Sequence, residues 1–147
     1  MKAVIQRVSR SLVAVDGSVV GKIGRGVNIL LGVLKGDRPE DIEKMVSKIV
    51  NLRIFPDESG KMNRSLVDID GEALVISQFT LASNLKRGRR PSFDEAMEPS
   101  EAKRMYELFC DRLAEYVEVK RGVFGAMMEV EIVNDGPVTF VIDSREI

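Results

Sequence analysis

Ser77-Gln78-Phe79-Thr80 puts two hydroxyls and a carboxamide within four residues, in a β-branched, alternating run over residues 75–83 that has the pattern of a strand. A nucleophilic hydroxyl needs an adjacent base, because unassisted it is almost entirely protonated at neutral pH. The 147-residue chain has no histidine, which excludes a Ser-His-Asp triad and a thiol–imidazole pair. A lysine could serve as the base only if its pKa were lowered. The more economical chemistry uses the backbone: successive N–H groups released at a strand end can point at a carbonyl oxygen and stabilise the oxyanion that forms on attack. The competing reading is an ordinary strand whose Ser77 and Thr80 satisfy local backbone groups.

Two further segments could serve such a site. Lys86-Arg87-Gly88-Arg89-Arg90 gathers four cations in five residues, enough to neutralise two or three phosphates, or else a solvated charge run. Asn134-Asp135-Gly136-Pro137 falls between two alternating runs and reads first as a β-hairpin turn, although glycine before proline also makes a slim, rigid wedge with aimed carbonyls. The single Cys110 lies among helical apolar positions and reads as a buried side chain. No acidic cluster has calcium-loop spacing and no Cys/His set is available, so neither metal nor cofactor is expected.

The elements that must hold these groups are legible in the periodicity. Alternation over residues 2–9, 12–15 and 19–23, with Asp16-Gly17 between the last two, predicts an antiparallel start. Gly21 to Gly26 lacks the phosphate-loop pattern and reads as a turn. Residues 27–34 form an apolar run expected of a central strand buried on both faces. Helices are predicted after Pro39, with Ile42, Met45, Val46, Ile49 and Val50 on one stripe, and from Pro99 to about Tyr116. Strands are expected over 72–79, 117–120, 127–133 and 138–142, with a short hairpin or loop over 61–70 and an irregular loop over 84–91.

Length and a 44% hydrophobic content fit one α/β domain spanning residues 1–147. With 22 basic against 23 acidic residues, no global field would hold the chain on a polyanion, so a local patch must do so. No apolar run approaches the length of a membrane span, and a cytoplasmic protein without a membrane partner is expected.

Taken together the segments resemble the bacterial and eukaryotic D-aminoacyl-tRNA deacylase family. The resemblance rests on Ser77-Gln78-Phe79-Thr80-Leu81 and Asn134-Asp135-Gly136-Pro137-Val138-Thr139. Ile5-Gln6-Arg7-Val8, Arg53-Ile54-Phe55, Gly60-Lys61-Met62-Asn63, Arg90-Pro91-Ser92-Phe93 and Phe124-Gly125-Ala126-Met127-Met128 support it, in order along nearly the whole chain. Met127 stands where a polar residue is usual, and residues 86–90 are unusually basic.

The resemblance implies a three-layer mixed β/β/α fold with two main helices, forming a homodimer. In it Gly136 and Pro137 of one subunit, joined by a cis bond, enter the pocket built by Ser77, Gln78, Phe79 and Thr80 of the other. It implies a hydrolase for the ester of D-aminoacyl-tRNA that rejects L-amino acids and also clears glycine mischarged on tRNA-Ala. The 2′-hydroxyl of the terminal adenosine would assist water, and the backbone N–H groups near Phe79 and Thr80 would hold the oxyanion. Arg7 would fix the wedge, Phe124 would stack on the terminal adenine, and Lys86, Arg87, Arg89 and Arg90 would meet the acceptor-stem phosphates. The rival reading is a noncatalytic module that holds an RNA 3′ end. A third is a dimeric scaffold in which Gly136-Pro137 is only a turn.

Overall fold

The computed structural model describes residues 1–147. Its longest element, β1 (Lys2–Val15), turns at Asp16-Gly17, both with positive φ, into β2 (Ser18–Ile23). β3 (Gly26–Gly32) is buried along nearly its whole length, as an apolar run without alternation predicts. α1 (Pro39–Asn51) follows, then a small antiparallel pair, β4 (Phe55–Pro56) with β5 (Met62–Arg64). Next come β6 (Glu72–Ser77), a 3-10 turn (Phe79–Ala82), α2 (Pro99–Leu113), β7 (Glu118–Arg121) and β8 (Glu129–Asp143).

The main sheet runs β2-β1-β3-β6-β7, with β8 along the other edge of β1. β3 therefore sits in the middle, as expected, and it pairs parallel with β6 and antiparallel with β1. Alternation gives the sheet two apolar faces. Ala3, Ile5, Ile29, Leu31, Ala73 and Val75 join the stripes of α1 and α2 in the larger core. Val8, Val13, Ile23, Leu74 and Ile76 form a smaller core, covered by Leu30, Met128, Val130 and Ile132. Gly21 marks the fold-over: a Cβ there would come within 2.8 Å of the Arg121 carbonyl and 3.3 Å of Leu74. The two β layers anticipated from sequence are thus one curled, nearly closed mixed sheet with both helices on one face. No helix is long and apolar enough to cross a membrane.

Two expectations are corrected. The strand expected to run on through Phe79 stops at Ser77, and the chain tightens into the 3-10 turn. Close packing forces this: a Cβ on Gly32 would lie 2.8 Å from the Leu81 Cβ and 3.0 Å from the Gln78 carbonyl, so the turn rests directly on the β3 backbone. Residues 134–137 are not a hairpin turn. The two strands predicted on either side are one strand, β8, which follows β1 from Ala14↔Glu129 to Lys2↔Asp143. Between Val8↔Asn134 and Gln6↔Thr139 four residues of β8 stand opposite Arg7 alone, so Asp135 to Val138 are expelled from the ladder as a large bulge.

Candidate active site

At the C-terminal end of β6, Ser77 is held in register with Leu31, and the Gln78 N–H donates to the Leu31 carbonyl at 2.8 Å. The turn that follows leaves its first donors free, as helix starts do. Neither the Phe79 nor the Thr80 N–H has an acceptor, whereas Leu81 N–H bonds the Gln78 carbonyl and Ser83 N–H the Thr80 carbonyl. Two adjacent N–H groups left without acceptors just past the end of a strand can donate to an oxyanion. The Thr80 hydroxyl receives the Gln78 carboxamide N–H at 2.5 Å, and no carboxylate or amine hydrogen-bonds to it. Nothing there would draw off its proton.

The same end of the sheet gathers three more expected features. The Phe79 ring is 59% exposed and meets Phe93 edge-on at 5.0 Å. Paired bonds between Asn84 and Ser92 (2.7 and 3.1 Å) close residues 85–91 into a loop beside the turn. Lys86, Arg87, Arg89 and Arg90 are all exposed on this loop, and none has a carboxylate within ion-pair distance. Phe124 is half-buried with its ring 5.8 Å from Tyr106, whose hydroxyl donates to the Val75 carbonyl at 2.8 Å. Gly122 N–H donates to that same carbonyl at 3.1 Å, so the Phe124 loop is fastened to the strand that ends in Ser77.

Arg7, Gly136 and Pro137 form a second group. The Gly136-Pro137 bond is cis, and both residues are exposed. Arg7 Nε donates to the Asp135 carbonyl at 2.8 Å and Nη1 to the Ile54 carbonyl at 2.7 Å. Asn134 staples the bulge from below: its Nδ2 donates to the carbonyls of Arg7 (3.0 Å) and Val138 (2.9 Å), while Oδ1 accepts the Val138 N–H at 3.2 Å. From the bulge to Ser77 the register runs through Arg7↔Val27, Val27↔Ala73 and four further residues of β6. At about 3.3 Å per residue and 4.8 Å per strand this is a path of about 20 Å along the sheet.

Sequence reasoning assigned no role to Asn134, Phe93, Tyr106 or the Ile54 carbonyl. Asn134 carried the clearest signal, since a carboxamide is the one neutral side chain able to donate twice and accept at a break in a ladder. No group of three or more cysteine, aspartate or glutamate side chains converges in a way that could hold a metal.

The model of the family described as D-Tyr-tRNA(Tyr) deacylase matches residues 4–143. The chain is similar to the D-aminoacyl-tRNA deacylase of Persephonella marina, 67% identical over 99% of both chains. It is 62% identical to that of Aquifex aeolicus over the full length of both. Among solved structures it resembles a c-Myc DNA unwinding element binding protein with a TM-score of 0.93 and 44% identity, over 97% of this chain and 98% of that one. A probable eukaryotic D-amino acid tRNA deacylase, 17% identical, shares the fold with a TM-score of 0.81 over 96% and 97%. With nearly its whole length matched by family model and relatives alike, the chain belongs to the D-Tyr-tRNA(Tyr) deacylase family of hydrolases.

Proposed function

We infer that the protein hydrolyses the ester joining a D-amino acid to the terminal adenosine of tRNA, releasing the free amino acid and the tRNA. The observation that carries this reading is the pair of unused N–H groups at Phe79 and Thr80, in a chain of this family that has no histidine. Water attacks the ester carbonyl, the two N–H groups take the developing negative charge, and the ribose oxygen leaves with a proton. The adenosine 2′-hydroxyl, adjacent to the bond that breaks, helps activate the water. The protein contributes position and electrostatics rather than a basic side chain.

Chirality is read by a second copy of the chain, whose Gly136-Pro137 bulge enters the pocket at Phe79 and Thr80. The roughly 20 Å path between bulge and pocket within one chain, together with the exposure of both, supports a site shared between two subunits of a homodimer. The carbonyls of the bulge hold the substrate α-amino group and crowd the direction in which an L side chain projects, while a D side chain points to solvent. Glycine has no side chain to reject, so glycyl-tRNA, including glycine mischarged on tRNA-Ala, is cleaved too. Arg7 holds the carbonyls in place, Phe124 takes the terminal adenine, and Lys86, Arg87, Arg89 and Arg90 take backbone phosphates. Such a substrate places the enzyme in the cytoplasm.

The test is deacylation of matched D- and L-tyrosyl-tRNA, with glycyl-tRNA alongside, each with and without chelator. Loss of the D and glycyl esters with the L ester spared is expected, and chelator should change nothing. A second reading, nucleic-acid binding without turnover, is favoured by the four unpaired cations of residues 86–90. The 44% identical structure is itself named as a DNA-element binding protein. Binding of tRNA with no ester cleaved would select it.

A further inference from the structure

The outward face of α1 carries a second basic feature that the candidate site does not use. Lys44 and Lys48, and likewise Ser47 and Asn51, are four residues apart, so the four line one exposed face opposite the buried stripe. With Leu52 and Arg53 they border a groove of about 490 Å3. None of Lys44, Lys48 or Arg53 has a carboxylate within ion-pair distance, although the helix carries acidic residues: Glu43 pairs with Arg112 at 3.0 Å, and Asp41 accepts the Arg38 N–H at 2.9 Å. Asp41 feels Lys44 and Asp68 feels Arg53, both at longer range than an ion pair, and the C-terminal residue Ile147 also borders the groove without its carboxylate pairing with any of the three. A chain with a net charge of −1 has thus placed three unneutralised cations around one concave surface, backed by hydrogen-bonding Ser47 and Asn51.

The groove is tied to the bulge. Arg53 immediately precedes Ile54, whose carbonyl is gripped by the same Arg7 guanidinium that holds the Asp135 carbonyl. The Arg53 end of the groove is thereby joined to the bulge through one guanidinium. Lys44 and Lys48 lie about 6 Å apart along the helix axis, close to the interval between successive phosphates of one strand.

We propose that Lys44, Lys48 and Arg53 bind backbone phosphates of the substrate's stem, on the subunit that contributes the bulge, opposite the Lys86 to Arg90 loop of the subunit that contributes the pocket. This rests on the deacylase reading above for the identity of the RNA. The stem would then be clasped by both subunits, and the groove would favour a full tRNA over a short ester without touching the reacting atoms.

The experiment compares the wild type with the Lys44→Ala/Lys48→Ala/Arg53→Ala variant, with Lys103→Ala, an exposed lysine on α2, as control. Binding of uncharged tRNA is titrated against salt, and turnover is measured on D-tyrosyl-tRNA and on D-tyrosyl-adenosine. Each phosphate contact contributes about 0.7 to the slope of log K against log salt on single strands and about 0.9 on B-form DNA, so the triple variant should lose about two to three from that slope. The ratio of kcat/KM on the tRNA ester to that on the adenosine ester should fall at least tenfold, through KM. An unchanged slope, or equal losses on the two esters, overturns the proposal and leaves the groove to another partner such as an acidic protein. Failure of the wild type to cleave either ester counts against the deacylase reading instead, and the slope with uncharged tRNA still decides the groove.

Discussion

Arg7 holds the Asp135 carbonyl at 2.8 Å through Nε while its Nη1 holds the Ile54 carbonyl at 2.7 Å, so one planar fork fixes the bulge of β8 against the segment that leaves α1. The Asp135 carboxylate also lies 3.3 Å from Nε, but it is half exposed. The two carbonyl bonds, made by a guanidinium with little solvent access, should dominate. Arg7→Lys cannot span two acceptors in that geometry. It is expected to cost about 1–3 kcal/mol of stability and to reduce discrimination between D- and L-tyrosyl-tRNA. Asp135→Asn, which keeps the backbone carbonyl and loses only a surface ion pair, should cost under about 1 kcal/mol. Denaturant midpoints and the D/L rate ratio measured on both variants test the contrast; equal effects would assign the work to the ion pair.

Asn134 is the second fastener. Three bonds from one carboxamide replace the ladder bonds lost where four residues face one. Asn134→Ala should cost about 2–3 kcal/mol, from three bonds of about 1 kcal/mol each. Asn134→Asp should be worse, because a carboxylate cannot donate and would face the Arg7 and Val138 carbonyls. Unfolding curves rank the two; a milder aspartate variant would mean that the bulge is held chiefly by Arg7.

How much of this was legible in the sequence depended on whether the signal was local. The helices, with stripes such as Ile42, Met45, Val46 and Ile49, and the buried β3 run could be read because periodicity follows directly from burial. The β8 bulge could not: proline and glycine signal a break in a ladder, but whether the chain reverses or continues depends on β1 being long enough to pair with both halves. The end of β6 failed for a similar reason, since Val75 to Thr80 alternates like a strand while Gly32, more than 40 positions earlier, lets the chain pack down into a turn. The residue types alone pointed to the strand end at Ser77 to Thr80, the Gly136-Pro137 wedge and the basic loop, while the roles of Arg7 and Phe124 and the meeting of wedge and strand end came from the family motifs.

Thr80 carries a hydroxyl next to the two N–H groups that have no acceptor, so its variant separates two mechanisms. Its hydrogen-bond partner is the Gln78 carboxamide, which cannot serve as a base. If the backbone N–H groups do the work, Thr80→Ala retains activity within about tenfold of wild type, the scale of one lost neutral hydrogen bond. A larger loss, or an acyl group trapped on Thr80 by rapid quench and mass spectrometry, would refute the water mechanism.

Tyr106 and Cys110 stand one helical turn apart under the Phe124 loop, and burial favours the neutral form of both. It pushes the thiol up from an ordinary 9.0 to about 11 and raises the phenol well above its usual 10.0. Both pKa values are higher in the fold than in the unfolded chain, so below about pH 9 the groups are protonated in either state and stability is complete. As pH rises from about 9 towards 11 the unfolded chain loses these protons first, and stability falls. For the thiol alone the fall is on the order of 3 kcal/mol. Cys110→Ala should lower the melting temperature at neutral pH, through lost packing, but flatten its decline above pH 9. A decline identical to wild type would mean that other groups set the alkaline limit.

Phe124 decides whether the pocket end of the sheet holds a base. Its ring sits 5.8 Å from Tyr106 and is tilted by 47°, it packs against the larger core, and Tyr106 is itself anchored to Val75, so the phenylalanine is held in place beside the strand that ends in Ser77. Phe124→Leu keeps apolar contact with the core but removes the π face. Base–aromatic stacking is worth about 1–3 kcal/mol, so KM for D-tyrosyl-tRNA should rise about 5- to 150-fold while kcat and the denaturation midpoint move little. If the midpoint drops and KM does not change, Phe124 is a core residue and the adenine is held elsewhere. The exposed Phe79–Phe93 pair is then the aromatic surface to substitute next.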